Sequence, residues 1–147
     1  MTARFRFPVA ALALALSVAP AVASADRDLY GGTGVDRVFV KAKSTQTQQR
    51  SIEIGIRVGA QEAATATVKG KAALTGGKSA VVLKTATVRL VPTDVKHVDL
   101  RAKNSDDGQR LADRLHDGAN AKARLSITFE DQAGNTALKH ISVKLTG

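Results

Sequence analysis

The 147 residues carry 22 Lys and Arg against 13 Asp and Glu, a formal net charge of +9, with no cysteine, no tryptophan, four Phe and one Tyr. No disulfide can brace this fold and no thiolate can attack a substrate, while so few aromatic rings exclude a stacking platform for bases or sugars. The basic excess points toward anionic partners such as wall polymers, acidic polysaccharide or nucleic acid, set against the plainer reading of a solvated, soluble surface.

Arg4 and Arg6 precede an apolar run, Pro8 to Val22, that closes on Ala23-Ser24-Ala25. A basic start, a short apolar stretch and a small-x-small ending predict a secretory signal peptide over 1–25. No later apolar stretch is long enough to span a bilayer as a helix. Removing that segment leaves twenty basic residues against thirteen acidic, a net charge near +7. The expected mature chain of about 120 residues is long enough for one domain held by burial alone. Residues 26–34 (DRDLYGGTG) read as a flexible Gly-rich lead-in, and 35–147 as that single domain. No Lys-Ser/Thr follows the glycines, so they form no phosphate loop.

From Val35 the pattern is strand after strand. Val38, Val40 and Ala42 share a side opposite Phe39, and Thr45 to Arg50 is a polar link. Ile52, Ile54, Ile56 and Val58 alternate without a fault, as a half-buried strand requires. Ala64, Ala66, Val68, Gly70, Ala72 and Leu74 face away from Thr65, Thr67, Lys69 and Lys71. Gly76-Gly77 turns the chain; 80–83 and 86–91 are two short runs or one bent strand, and Pro92-Thr93-Asp94 ends it. Val98, Leu100 and Ala102 make a further strand. A short helix follows, with Asp106 as its expected cap, Gln109 in the capping-box position, Leu111 and Leu115 inward and Gly118 as its stop.

The last stretch, Lys122 to Leu145, predicts a hairpin. Ala121, Ala123, Leu125, Ile127 and Phe129 lie on one face, and Ile141, Val143 and Leu145 return on the partner strand. Leu138 is one residue out of step, which predicts a bulge near Lys139-His140. Asp131, Gly134 and Asn135 supply the structural turn: Asp bonds amides ahead of it and Gly-Asn tolerates positive φ. Seven to eight short strands with one short helix before the C-terminal hairpin predict an all-β, antiparallel Ig-like β-sandwich.

Several motifs carry a family resemblance: Gly76-Gly77-Lys78, the helix with Arg110, Leu111, Leu115 and Gly118, and the ending from Arg124 to Thr136, RLSITFEDQAGNT. Together with Gln46 to Val58 they resemble the secreted Ig-like, fibronectin type III-like β-sandwich modules of actinobacteria. That resemblance implies fold and compartment and implies no catalytic residues. The chain departs from it in being less lysine-rich, in the acidic residues Asp106, Asp107, Asp113 and Asp117 around the helix, and in standing alone.

The search for chemistry returns little. His97, His116 and His140 fall on separate elements, and a shared zinc site needs convergence with a carboxylate. Asp131 and Asn135 offer two side chains toward calcium, which wants six or more oxygens, so the turn-forming role is favoured. No Gly-x-Ser-x-Gly or His-Glu-x-x-His context supports hydrolysis. The expectation is therefore no enzyme and no cofactor. The chain reads as a secreted or extracellular structural or interaction module, free or wall-associated, with an unknown protein partner. The alternative is an electrostatic binder of an anionic cell-wall polymer through Lys122, Arg124, Lys139 and Lys144, if these gather on one sheet. A calcium-binding or hydrolytic protein is a remote third reading, and specific nucleic-acid binding is not expected.

Overall fold

A computed structural model describes residues 37–147; the signal-peptide and lead-in assignments and Tyr30 lie outside the described residues. Nine strands and one helix follow in order: β1 Val38–Ala42, β2 Thr45–Thr47, β3 Glu53–Ala60, β4 Ala64–Leu74, β5 Ala80–Val82, β6 Ala86–Leu90, β7 Val95–Arg101, α1 Ser105–His116, β8 Ala121–Asp131 and β9 Thr136–Thr146. They build two packed sheets. The smaller has the order β1-β3-β7; the larger runs β2-β9-β8-β4-β5, with β6 also paired to β4. The fold is mostly β.

The alternating apolar residues decide which faces meet. Ile52, Ile54, Ile56 and Val58 from the β3 segment, with Val98 and Leu100 from β7, pack against Ala66, Val68, Leu125, Ile127, Phe129 and Val143 of the larger sheet. Twelve large side chains there are less than 2% exposed. Each contributes about 1.5–3 kcal/mol by leaving water, so burial readily outweighs the roughly 2–4 kcal/mol that a disulfide supplies. Alanines at 66, 72, 121 and 123 keep the buried side chains small, and Gly70 makes room within the larger sheet for its neighbour β8. A Cβ on Gly70 would collide with the Leu125 side chain and lie 2.9 Å from the Arg124 carbonyl oxygen.

Four expectations are corrected. The larger sheet is mixed rather than antiparallel, because β2 lies parallel to β9, pairing Thr45 with Lys144 and Thr47 with Thr146. The polar link is therefore a strand. Gln46 makes it possible: its amide side chain donates to the Gly55 carbonyl at 2.8 Å and accepts from the Gly55 N–H at 3.0 Å. Gln48 is 2% exposed and accepts from the Glu53 N–H at 2.7 Å. Two glutamines thus satisfy the backbone of β3 where the chain leaves one sheet for the other.

The second correction concerns the expected bulge. The β8–β9 register is unbroken from Ala121↔Leu145 to Glu130↔Thr136. Leu138 stays out of step and is simply exposed at 57% on the outer face. Third, the described strands number nine rather than seven to eight, because β2 is added and the runs at 80–83 and 86–91 are the two-strand alternative, both laid on β4. Fourth, α1 is capped by Asn104, whose side chain accepts from the Asp106 N–H at 2.9 Å. Asp106 and Asp107 sit in the first turn and Arg114 and His116 in the last, matching the dipole at both ends. Gly118, at φ +89°, ends the helix as read.

Both long sides of the sandwich are laced. On one, β1 and β2 cross between the sheets. On the other, Lys84 N–H donates to Arg101 O and Lys103 N–H to Val82 O, each at 2.8 Å, tying the β5 end to β7. Beyond Lys144, however, β9 has no further partner strand among the described residues, which leaves Thr136–Val143 as an open edge.

Candidate functional site

Alternation along β4, β8 and β9 sends every second side chain outward, and the register then fixes which of them meet. Lys71 stands directly opposite Arg124, Lys122 opposite Lys144, and Lys69 opposite Ser126. All five basic residues are exposed. Among the described residues none of the five makes an ion pair. The ion pairs fall elsewhere: Lys96–Asp94 at 2.8 Å, Arg101–Glu53 at 3.0 Å and Arg110–Asp107 at 3.7 Å. Two of these are on β7 or beside it, with the His97–Asp99 contact between them, and the smaller sheet carries one opposed cation pair on its outer face, Lys41 against Arg57, where the larger sheet carries two. On the outward side of β8 the nearest acid is Glu130, six residues or about 20 Å from Arg124.

Like charges placed directly opposite across strands are destabilising, by roughly 0.2–1 kcal/mol per pair. Two such pairs side by side, with no acid among them, form a surface that repels itself and attracts anions. Beside them the β5 hairpin raises an apolar wall. Ala80 and Val82 of β5, with Ala73 and Leu74 of β4, line an open groove of about 750 Å³ whose other lining includes Lys69, Lys71, Lys122 and Arg124.

The structure thus brings together three of the four residues singled out for polyanion binding, Lys122, Arg124 and Lys144. It separates Lys139. That residue pairs with Ile127 on the inward side of the sheet and reaches solvent at the open β9 edge. An inward-pointing charge on an open edge obstructs a second strand from docking there. Lys69 and Lys71 stand on β4, an interior strand flanked by β8 on one side and by β5 and β6 on the other. Their alternation with Ala72 marked them as outward. Only the cross-strand register puts them beside Arg124.

The Asp131 turn is self-contained. One carboxylate oxygen accepts from the Ala133 and Asn135 N–H groups at 2.8 Å each, and the other from the Asn135 side-chain amide at 2.7 Å. The Asn135 amide, foremost, and these backbone N–H groups hold the Asp131 carboxyl below its ordinary value of 3.8. Gly134 has φ +83°. Both oxygens are thus engaged by the loop they organise.

The histidines stay apart. His97 Nε2 lies 2.8 Å from Asp99, His116 Nε2 donates to the Gln49 carbonyl at 2.7 Å, and His140 Nδ1 lies 3.0 Å from Ser126 Oγ. No group of three His, Cys, Asp or Glu suited to a metal occurs among the described residues. Phe129 is fully buried, and Phe39 is 43% exposed on the outer face of β1, opposite Val38, Val40 and Ala42. No described helix is long and apolar enough to cross a membrane.

No family model matches the chain, and no curated protein does. Among solved structures, the solution structure of AT1g01470 from Arabidopsis thaliana is 12% identical with a TM-score of 0.42, covering 72% of this chain and 74% of that one. A crystal structure of a protein from Archaeoglobus fulgidus is 13% identical with a TM-score of 0.35, covering 75% and 94% respectively. Both TM-scores are below 0.5, and neither likeness bears on what this chain does.

Proposed function

We propose that the chain is an exported, non-catalytic interaction module of the immunoglobulin-like class, and that it engages an anionic polymer of the cell envelope through the outer face of its larger sheet. The observation that carries the binding half is the opposed pairs Lys71–Arg124 and Lys122–Lys144, with Lys69 alongside and no acid among them. A folded surface that merely needed solubility would intersperse charges of both signs; the smaller sheet sets Glu53 and Asp99 among its bases, although Lys41 also faces Arg57 there. The switch of the chain from β1 in one sheet to β2 in the other supports the immunoglobulin-like reading, as do the sandwich layers. Export rests on residues 1–25 of the sequence, and the non-catalytic reading rests on the sequence offering no catalytic motif and on the histidines and carboxylates not converging among the described residues.

The test is sedimentation of the chain with isolated cell envelopes across a salt series. The expected result is binding that falls steeply as salt rises, because surface charges are screened beyond about 8 Å at physiological ionic strength. Binding indifferent to salt favours instead an unknown protein partner met through apolar or backbone contacts. No binding at any salt removes the polymer from the account.

A further inference from the structure

We infer that the groove beside β5 takes a base-free polyol phosphate chain laid along the strands, in preference to a polymer of sugar carboxylates. This inference rests on the basic-face reading above and adds the chemistry of the ligand. The β5 wall runs alongside β4, so the long axis of the groove follows the strand direction. Along that axis the cations recur at every second residue, Lys69 then Lys71 on β4 and Lys122 then Arg124 on β8. Two residues of extended chain are six covalent bonds, about 6.7 Å.

A phosphodiester polymer with a three-carbon unit also repeats every six bonds, phosphorus–oxygen–three carbons–oxygen, and its extended repeat is about the same 7 Å by the same bond geometry. Successive phosphates therefore meet successive cations without strain on either chain. A polyuronate carries one carboxylate per pyranose ring. Its repeat of five bonds is folded back by ring closure and falls short of the spacing along a strand. Arg124 adds the planar fork that grips phosphate oxygens in pairs, and the neighbouring lysines act as point charges. The wall of Ala73, Ala80 and Val82 receives the carbon atoms between phosphates. No aromatic ring lines the groove, so nothing there stacks a nucleobase.

The test is fluorescence anisotropy of the purified chain with three labelled polymers of equal charge number: poly(glycerol phosphate), polygalacturonate and a thymidine oligonucleotide. Each is measured with the unaltered chain, with Lys71→Gln/Arg124→Gln, and with Lys41→Gln/Lys43→Gln on the smaller-sheet side. The expected result is at least tenfold tighter binding of the glycerol phosphate polymer. The groove variant should lose most of that preference and lower the salt slope by about 1.4, as for two released counterions on a single strand, while the control variant binds as the unaltered chain does. Equal affinity for all three polymers, lost equally in the groove variant, overturns the phosphodiester inference and leaves the basic face standing. Tighter binding of the oligonucleotide overturns the base-free ligand. Binding insensitive to Lys71 and Arg124 overturns both.

Discussion

At Gly134 the backbone sits at φ +83°, and a Cβ built there meets nothing within 4 Å. The cost of a side chain is thus conformational and not steric. Gly134→Val should lose about 2 kcal/mol in urea denaturation, whereas Gly134→Asn, which tolerates the left-handed region, should lose under about 1 kcal/mol. Thr93 offers the converse case. It is a β-branched residue at φ 65°, held by its N–H on the Ala60 carbonyl at 3.0 Å. Thr93→Gly should raise stability by about 1 kcal/mol, less the entropy that glycine adds to the unfolded chain. Asp131 gives the molecule an acid limit. Its folded pKa lies below the ordinary 3.8, so its contribution is present above that value and is lost as pH falls through the folded pKa. The melting temperature should drop below about pH 4, and Asp131→Asn should flatten that drop while lowering the plateau. A drop as steep in the variant would place the acid sensitivity elsewhere. These roles were legible in the sequence for Asp131, Gly134 and Asn135, because turn chemistry is local. Thr93 was not, since only the tie to Ala60 holds it in that conformation.

Among elements, the strands whose faces alternate cleanly, 52–58, 64–74 and 121–129, emerged with the facing read from their periodicity, and Leu111 and Leu115 fill the same core. What failed depended on partners distant in sequence. β2 is a strand because β9 accepts it and because Gln46 and Gln48 satisfy β3, none of which a polar segment announces. Leu138 suggested a bulge on the assumption that every leucine is buried; an exposed leucine costs less than breaking a continuous ladder. The same dependence governs the basic face. Lys71 and Arg124 are 53 positions apart and are opposed only through the β4–β8 register. Because opposed cations repel, Lys71→Thr should stabilise the fold by about 0.2–1 kcal/mol while weakening polymer binding. A variant that loses stability would show that the pair is already neutralised in solution. At the open edge of β9, Lys139→Val removes the inward charge, and size-exclusion chromatography should then show concentration-dependent association that the unaltered chain lacks.

For the whole molecule, the cluster of cations on the larger sheet is the feature on which the proposed polymer binding rests. The smaller sheet sets acids among its bases, through Glu53–Arg101 and the His97–Asp99 contact, and opposes only Lys41 to Arg57, whereas the larger sheet gathers two opposed cation pairs and no acid at one end of its outer face. The buried layer between them, laced along both sides, gives the rigidity that keeps those cations in register. A cysteine-free domain can hold such a self-repelling surface because apolar burial exceeds the repulsion many times over. The most direct measurement is backbone amide chemical-shift mapping of the labelled chain titrated with short-chain polyphosphate. The account predicts shifts concentrated at Lys69, Lys71, Lys122, Arg124 and Lys144, fading as salt is raised. Shifts centred on Lys41, Arg57 and Lys96 of the smaller sheet, or spread evenly over all exposed lysines, would contradict it.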